Sequence, residues 1–431
     1  MVLNIGITCC NKNLKKTIFN NGILQNSITL YRLLIKLKYK PFWILNGNDK
    51  FEKYFNDEKS LLINDINNTN CDLIILFGTE INKIFDIPTI YYHCGNRYYT
   101  DLNNLKYDLY KYNDVKYIRI DNIFYVPQHI NLKEYFMTYG KCEKSNCVPH
   151  IYEPFFKKIE DTSYINKKLD IYICEPNLHI IKNSIIPMCI INKFLENKKN
   201  YDNIGDIIFF CNKDPCEYFK NNIIKRLSMI NDNVDNKKIK FMGRFPINEI
   251  LNNNRCIVLS HQTNNELNYL YYDCIYNNTL LVHNSKMFGI DRGYYYKDNC
   301  IDSAVRCLEN AVKDHSIIYD KDILTEYSID NKRNQYIYKA HIEDTIQNYW
   351  NSKLQSNLLK DKMIKLNNII YIFTDNGNII SENKTEGYYL YDGDKYFLAI
   401  DNNYYYIYRL KKNLDIYYIN TNEWINGSIE N

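Results

Sequence analysis

The stretch LDIYICEPNLHIIKNSIIPMCIINKFL, residues 169–195, decides the predicted fold. Its first six residues, 169–174, form an apolar run rich in β-branched residues, which is typical of a buried strand. A Pro-Asn turn follows at residues 176–177, and residues 180–195 have the pattern of an apolar helix. This strand, turn and helix repeat a pattern that already opens the chain, so the sequence predicts two successive α/β domains.

The first half of the chain alternates strands and helices from its beginning. Residues 3–8 predict a strand, and residues 20–37 predict an amphipathic helix because apolar side chains recur near a 3.6-residue period. Further strands are predicted at residues 41–45, 72–77 and 88–92. Short apolar runs that alternate with helices are typical of parallel strands, so this half predicts one doubly wound domain.

The second half continues the same alternation as far as a long closing helix. Such a helix is expected to pack back on the first domain. The predicted strands are residues 206–211, 238–242, 256–259 and 280–282, and the predicted helices are residues 215–227, 268–276, 301–313 and 331–354.

The domain organisation follows from length and from changes in composition. A chain of 431 residues exceeds what one hydrophobic core usually serves. We predict an N-terminal Rossmann-like domain at residues 1–155 and a C-terminal Rossmann-like domain at residues 156–354. Aromatic segments separated by Asp-Gly turns then predict a small antiparallel β appendage, an independent accessory at residues 362–431. Its tyrosines either stack on carbohydrate or fill the pleated faces of the strands.

Composition excludes some classes of protein. The 54 basic and 50 acidic residues leave a net charge of +4, which gives no strong field for nucleic acid, and we expect no nucleic-acid partner. The Tyr-rich and Asn-rich bias resembles that of A+T-rich coding in giant viruses. No stretch approaches the ~20 apolar residues that span a bilayer. We therefore expect a soluble cytoplasmic protein, in the host cytoplasm or the virion if it is viral.

Polar side chains follow several predicted strands of the second half. In open α/β sheets, ligands bind beyond the carboxyl ends of the strands, where helix N-termini point backbone N–H groups at anionic groups. We therefore expect these residues to line a ligand site. They are Glu175 and Asn177, Arg244, His261, and the run His283, Asn284 and Ser285.

Several of these candidates also have a purely structural interpretation. Arg244 either forks onto a diphosphate or forms a surface ion pair, and Lys182 either faces the site from a helix N-terminus or is solvated. His261 and His283 either line the cleft or are core histidines. His93 ends a strand of the first domain, where it either contacts a ligand or is structural.

Gly22 lies between the first strand and its helix, where a glycine permits either a close backbone approach to a ligand or a tight turn. The chain has no dinucleotide fingerprint and no P-loop, which argues against a dehydrogenase or an NTPase. It also has no nucleophile elbow and no HExxH helix, which argues against hydrolases. The cysteines lack zinc-site spacing, so no metal site is predicted.

Two segments resemble the donor half of retaining, family-four-like GT-B glycosyltransferases. They are residues 239–250 (IKFMGRFPINEI) and residues 263–285 (TNNELNYLYYDCIYNNTLLVHNS). That group has two glutamates eight positions apart, and the matching positions here are Asn265 and Asp273. Asp273 keeps a carboxylate for ribose hydroxyls, whereas Asn265 carries no charge, and Glu266 takes its place if the register shifts by one.

Residues 1–345 also resemble an uncharacterised, mainly bacterial family, named for domain of unknown function 2827 and regarded as glycosyltransferase-like. The resemblance implies a GT-B-like fold in which two Rossmann-like doubly wound domains face a cleft. It lies in the segments at residues 21–26, 94–96, 175–177, 186–188, 260–262, 267–273, 281–285 and 293–296.

These resemblances imply transfer of a sugar from a nucleotide-diphosphate sugar to a glycan, protein or small-molecule acceptor. No metal or other cofactor is expected, and the reaction is retaining if the family-four resemblance holds. His93 and Asn265 or Glu266 are the candidate catalytic residues. A non-catalytic carbohydrate- or nucleotide-binding protein with a degenerate site is the alternative, and a structural or virion-associated protein is a third interpretation.

Overall fold

The computed structural model forms two compact units, residues 1–338 and 339–431. The first unit contains two parallel sheets, and the second is an antiparallel assembly of strands. The structure describes residues 3–8, 22–45, 60–62, 71–77, 87–95, 120–139, 142, 144–158, 168–175, 177, 182–211, 217–243, 245–252, 255–263, 268–353, 363–366, 369–373, 378–381, 386–391, 396–400, 403–410, 413–418 and 423–430.

The first sheet has seven strands, and each neighbouring pair is parallel. The strands are β1 Asn4–Thr8, β2 Lys40–Leu45, β3 Ser60–Leu62, β4 Leu73–Phe77, β5 Thr89–Tyr92, β6 Asn122–Tyr125 and β7 Ser145–Cys147. Their order is β3-β2-β1-β4-β5-β6-β7. Every residue of β4 is buried, as expected for a central parallel strand covered on both faces. This sheet and its helices form the first lobe.

Helix α1, Gly22–Lys36, connects β1 to β2 and is buried on two sides. Its apolar residues Ile28, Leu33 and Leu34 are buried, as the 3.6-residue period predicts. The polar residues Gln25 and Thr29 are buried as well, because this part of the helix faces the second lobe. A 3₁₀ helix at Pro127–Leu132 and helix α2, Lys133–Tyr139, lie between β6 and β7.

The second sheet has six parallel strands and forms the second lobe. Its strands are β8 Leu169–Ile173, β9 Ile204–Phe210, β10 Ile239–Met242, β11 Cys256–Leu259, β12 Leu280–His283 and β13 Tyr294–Tyr295, in the order β10-β9-β8-β11-β12-β13. The helices are α3 Ile185–Leu195, α4 Lys198–Asn203, α5 Glu217–Asn222, α6 Ser228–Asp235, α7 Ile247–Leu251, α8 Tyr269–Tyr276, α9 Ile301–Asp314, α10 Asp322–Thr325 and α11 Lys332–Lys353.

Alternate residues of the central strands enter two separate cores. Ile171 of β8 and Ile257 of β11 belong to the core that α3 and α9 cover. Tyr172 and Val258, their neighbours along the chain, belong to the core that α8 covers. Because successive strand residues point to opposite faces, both faces of the sheet are buried and the lobe is doubly wound.

The predicted α/β class with two parallel sheets is confirmed, and the chain passes from one sheet to the next between Cys147 and Leu169. The strands predicted in these sheets match observed ones to within two residues at each end. The sequence does not predict β3, β6, β7 or β13, which have two to four residues each, because runs this short do not indicate by themselves whether they pair in a sheet.

Two helices differ from their predicted bounds. The predicted helix at residues 215–227 is α5 followed by a 3₁₀ turn at Ile224–Arg226, and this turn brings Ile224 into the core. The helix predicted from residue 180 begins at Ile185. Asn177 fixes that start, because its Oδ1 accepts a 2.6 Å hydrogen bond from the backbone N–H of Ser184, the residue before the helix.

The two lobes meet through chain segments that cross between them. Tyr152, in the linking segment at residues 148–158, forms a parallel bridge with Ser328, and its N–H donates to the carbonyl of Tyr327. Tyr338 in α11 stacks on Tyr92 of the first sheet, and their hydroxyl oxygens lie 2.8 Å apart. Aromatic packing and buried hydrogen bonds therefore join the two lobes of the first unit.

The second unit continues from α11 into eight strands, each antiparallel to its neighbour, and the first of them also pairs with the last. The proposed role of this part in carbohydrate stacking stays a prediction. No helix within the described ranges is long and apolar enough to cross a membrane. The strands are β14 Met363–Leu366, β15 Ile369–Phe373, β16 Asn378–Ser381, β17 Glu386–Tyr391, β18 Tyr396–Ile400, β19 Asn403–Leu410, β20 Asn413–Tyr418 and β21 Glu423–Glu430.

Candidate functional site

A buried polar cluster lies where the winding of the second sheet changes direction. The neighbours β8 and β11 start the two halves of the sheet, and ligands of open α/β sheets bind beyond the carboxyl ends of such strands. Glu175 follows β8, and Ser260 follows β11 directly. Glu175 is 1% exposed and Ser260 is 0% exposed, so both polar groups are withdrawn from solvent.

The Glu175 carboxylate joins the ends of the two strands. Its Oε1 accepts a 2.6 Å hydrogen bond from Oγ of Ser260, and both of its oxygens accept 2.8 Å hydrogen bonds from Nε2 of Gln262. Burial raises the pKa of Glu175, while the positive charge of Lys182 and these donors act against that rise. The carboxylate is already occupied, so Glu175 positions the segment after β11.

Asn284 extends the pairing of β11 and β12 beyond the ends of both strands. Its Oδ1 accepts a 2.9 Å hydrogen bond from the N–H of Gln262, and its Nδ2 donates a 2.9 Å hydrogen bond to the carbonyl of the same residue. A side-chain amide thus imitates a neighbouring strand. Asn284 therefore holds the backbone of Gln262 in place. The side chain of Gln262 in turn donates to Glu175.

His261 lies between Ser260 and Gln262 in the chain, and its imidazole ring faces the end of β13. Its Nδ1 is 3.0 Å from the hydroxyl of Tyr296, which donates a 3.1 Å hydrogen bond to the carbonyl of Ser260. Burial lowers the pKa of His261 to about 4, although a contact with Asn299 acts in the opposite direction. The imidazole is therefore neutral at pH 7.

His283 and Ser285 shape the turn after β12. Nε2 of His283 bonds the carbonyl of Arg292, and its Nδ1 accepts a 3.2 Å hydrogen bond from the N–H of Ser285. Oγ of Ser285 accepts a 3.0 Å hydrogen bond from the N–H of Phe288. Burial lowers the pKa of His283 to about 4. Both ring nitrogens form hydrogen bonds within the protein, so His283 has a structural role in this conformation.

Lys182 and the start of α3 lie at the same edge of the sheet as Glu175. The side chain of Asn177 holds this start from a backbone φ of +55°, and its Nδ2 donates a 2.7 Å hydrogen bond to Oγ of Ser184. The charge of Lys182 acts on the carboxylate of Glu175. A cation and a helix N-terminus together make this edge suitable for an anionic group.

Asp273 lies on the other face of α8, at the contact between the lobes. Tyr271, two residues earlier, has its hydroxyl 3.0 Å from Oγ of Ser260, and a step of two residues turns a helix by roughly 200°. Asp273 instead accepts a 2.8 Å hydrogen bond from Tyr152 and interacts with Gln25 of α1. Burial raises the pKa of Asp273 to about 7. Its carboxyl group is thus engaged between the lobes.

Two first-lobe candidates lie on different elements. Gly22 starts α1, and a Cβ built there would lie 3.8 Å from side-chain atoms of Tyr269 in α8. His93 directly follows β5, is 4% exposed, and packs its ring edge against Tyr91. Its backbone N–H donates to the carbonyl of Phe124.

Three predicted site residues, Arg244, Asn265 and Glu266, lie outside the described residues, and their assignments stay predictions. Within the described ranges, no three His, Cys, Asp or Glu residues are arranged to hold a metal ion. Tyr271 and Tyr296, whose hydroxyls complete the cluster, were not predicted as site residues, although both lie in segments that carry the family resemblance, residues 267–273 and 293–296. With 42 tyrosines in the chain, residue type alone does not distinguish these two from the others.

Three solved structures are similar to this chain. Sucrose-phosphate synthase from Thermosynechococcus elongatus is 9% identical, with 82% of this chain and 98% of that chain covered and a TM-score of 0.47. An alpha-glucosyltransferase in complex with UDP-glucose and DNA containing an abasic site is 12% identical, with coverage of 80% and 99% and a TM-score of 0.47. Anabaena HepE in complex with UDP and glucose is 11% identical, with coverage of 82% and 100% and a TM-score of 0.47.

A search of curated proteins gave no match. The model of a protein family matches residues 5–352, which is most of the chain and includes both parallel sheets. The family is described as Protein of unknown function (DUF2827), and this chain belongs to it.

Proposed function

We propose that this chain is a glycosyltransferase that moves a sugar from a nucleotide-diphosphate sugar to an acceptor. The observation that most supports this proposal is the buried network of Glu175, Ser260 and Gln262, which joins the carboxyl ends of β8 and β11 at the switch point of the second sheet. A sheet edge preorganised in this way is where α/β folds bind nucleotides. The nucleotide then lies on the second lobe.

Positively charged groups at this edge of the second sheet would bind the diphosphate. Lys182 and the N-terminus of α3 face the negative charge, and Arg244, one residue beyond Gly243, adds a forked donor. Transfer requires that charge on the leaving diphosphate be stabilised, which these donors achieve without a metal. In this proposal no cofactor is needed.

The first lobe then supplies the acceptor side. His93 at the end of β5 contacts the donor sugar or the acceptor hydroxyl, and Gly22 permits a close backbone approach. Asn265, or Glu266 in a shifted register, occupies the position of the first family-four glutamate. The family-four resemblance implies retention of configuration at the sugar.

A second candidate function is binding without transfer. It is favoured by the replacement of a glutamate by Asn265, and by the engagement of Asp273 with Tyr152 at the lobe contact instead of an open site. Such a protein keeps a nucleotide or carbohydrate site and lacks turnover.

The deciding experiment incubates purified full-length protein with UDP-, GDP-, ADP- and dTDP-sugars and measures the release of nucleoside diphosphate, with and without mixed glycan acceptors. Release with one donor supports glycosyl transfer. Calorimetric binding of a nucleotide sugar without release supports the second candidate. If neither binding nor release occurs with any donor, both are rejected.

Charge variants locate the diphosphate. Lys182→Met and Arg244→Ala should each weaken diphosphate binding by about 1.5–3 kcal/mol, the range for hydrogen bonds to charged groups, and the loss should shrink at high salt. Lys193→Met is the matched control, because Lys193 lies on α3, the helix that follows Lys182, and pairs with Asp302 at the surface. Undiminished binding by both folded variants would reject the phosphate assignment.

A further inference from the structure

The neighbouring carbonyl of Ser260 favours one direction of hydrogen bonding between His261 and Tyr296. The single hydroxyl hydrogen of Tyr296 is donated to the carbonyl of Ser260, 3.1 Å away, and a carbonyl can only accept. The oxygen of Tyr296 must therefore accept from Nδ1 of His261, 3.0 Å away. It follows that the hydrogen of the neutral imidazole is on Nδ1 and that Nε2 carries a lone pair.

Both partners are held in place. Tyr296 is 0% exposed, and its backbone N–H donates to the carbonyl of His283 at the end of β12. His261 is 2% exposed, and its neighbour Gln262 is fixed through Asn284 and Glu175. Burial raises the pKa of Tyr296 well above its ordinary value, so the phenol keeps its hydrogen at neutral pH.

Among the described residues, no polar atom lies in hydrogen-bonding geometry with Nε2 of His261, and a buried acceptor left without a partner is unfavourable. Asn299, whose contact acts to raise the pKa of this imidazole, lies on an exposed turn before α9. An exposed side chain is displaced at little cost. The nitrogen is therefore suited to a ligand group that donates a hydrogen bond.

We infer that Tyr296 is a positioning residue that fixes His261 as a hydrogen-bond acceptor for a hydroxyl group of the bound nucleotide sugar. This inference rests on the proposed function and adds to it the chemistry of one ligand group. A lone pair on Nε2 repels phosphate oxygens and binds O–H donors. Both the ribose and the transferred sugar have hydroxyl groups, so Nε2 of His261 accepts a hydrogen bond from one of these two.

The free protein tests the tautomer. Nitrogen NMR of protein labelled with ¹⁵N-histidine, with His261→Gln used to assign the signal, should show His261 protonated at Nδ1 and unprotonated at Nε2. Tyr296→Phe should give a mixture of tautomers. Tyr294→Phe is the control, because Tyr294 lies two residues before Tyr296 and its hydroxyl bonds Asp314 instead of His261. Protonation of Nε2 in the wild type would overturn the inference, even if Tyr296→Phe does not fold.

Ligand titrations test the hydroxyl contact. Adding UDP and then UDP-glucose, or GDP and then GDP-mannose, should move the Nε2 resonance of His261 towards its hydrogen-bonded position. A change already present with the free diphosphate assigns the ribose, and one that needs the sugar nucleotide assigns the transferred sugar. Binding of a sugar nucleotide without a change at Nε2 would refute the contact.

Affinity separates this role from a structural one. Tyr296→Phe should weaken binding of the responsive nucleotide by about tenfold. His261→Ala should weaken it further, whereas His261→Gln should recover part of the loss because its amide oxygen can still accept. Equal affinities for the two His261 variants would contradict the inference. If the wild type binds no nucleotide at all, the proposed function and the ligand contact both fail, while the tautomer is still decided by the free protein.

Discussion

The hydroxyl of Tyr152 donates a 2.8 Å hydrogen bond to Oδ1 of Asp273 and so joins the segment between the lobes to helix α8. Gln25 of α1 also acts on this carboxyl group, which is 1% exposed. The contact between the lobes is thus built around an ionisable group whose pKa burial raises to about 7.

Replacing Asp273 by Asn should remove a dependence of stability on pH. The pKa rises from 3.8 in the unfolded chain to about 7 in the folded one, so between these values only the folded state holds the proton. Raising the pH through this range therefore favours unfolding, by up to about 4 kcal/mol at 1.36 kcal/mol per unit. Melting temperatures from pH 4.5 to 8 should fall more steeply for the wild type than for Asp273→Asn. Asp232→Asn, an exposed carboxylate on α6, should change nothing, and parallel curves for wild type and Asp273→Asn would contradict the prediction.

His150 should give the opposite pH dependence. Its ring lies 5.2 Å and 5.0 Å from those of Tyr269 and Tyr272, and burial together with the charge of His129 lowers its pKa to about 3. Below pH 6.5 the unfolded chain takes up a proton that the folded one does not, so acid destabilises the fold. His150→Phe should lessen the loss of unfolding free energy between pH 7.5 and 5.5 by about 1.4 kcal/mol, measured by urea denaturation.

The exposed histidine His315 provides the control for this experiment. His315→Asn removes a histidine at a φ of +55°, a conformation that asparagine tolerates. An acid sensitivity that is the same in His150→Phe and in the wild type would show that His150 is not its source.

Gly293 should resist substitution for a reason of backbone geometry. Its φ is +73°, and a Cβ there would lie 2.7 Å from the carbonyl oxygen of Leu281 in β12. Gly293→Ala should therefore destabilise the protein by about 1–3 kcal/mol. Gly243→Ala meets no atom within 4 Å and is the matched control. Thermal unfolding of the two variants should differ, and equal melting temperatures would be evidence against strain at Gly293.

A chain ending at residue 361 should retain the fold of the two lobes. Both parallel sheets lie within residues 1–338, whereas the antiparallel strands begin at Met363. Circular dichroism and thermal melting should show a cooperative transition close to that of the full chain. A truncated protein without a cooperative transition would mean that the C-terminal strands complete the main fold.

The sequence alone determined the class of fold, because it depends on local patterns. β8 and β11 are short runs of β-branched and apolar residues, and α1 repeats its apolar residues at the helical period, so each appears in the chain without knowledge of its partners. The position of polar residues after these strands likewise predicted one edge of the second sheet as the candidate site. The sequence did not predict the four-residue strand β6, because so short a run does not show by itself that it will pair with β5 and β7.

Only the tertiary structure decided what each polar residue does. Glu175 and Ser260 are 85 positions apart in the chain, and Tyr152 and Asp273 are 121 apart. The sequence placed Asp273 and Asn284 at a ligand site, which stays a prediction, and the fold adds that Asp273 accepts from Tyr152 between the lobes while Asn284 pairs with the backbone of Gln262. A side chain can satisfy its hydrogen bonds within the protein or offer them to a ligand, and the choice depends on partners that folding alone brings within about 3 Å.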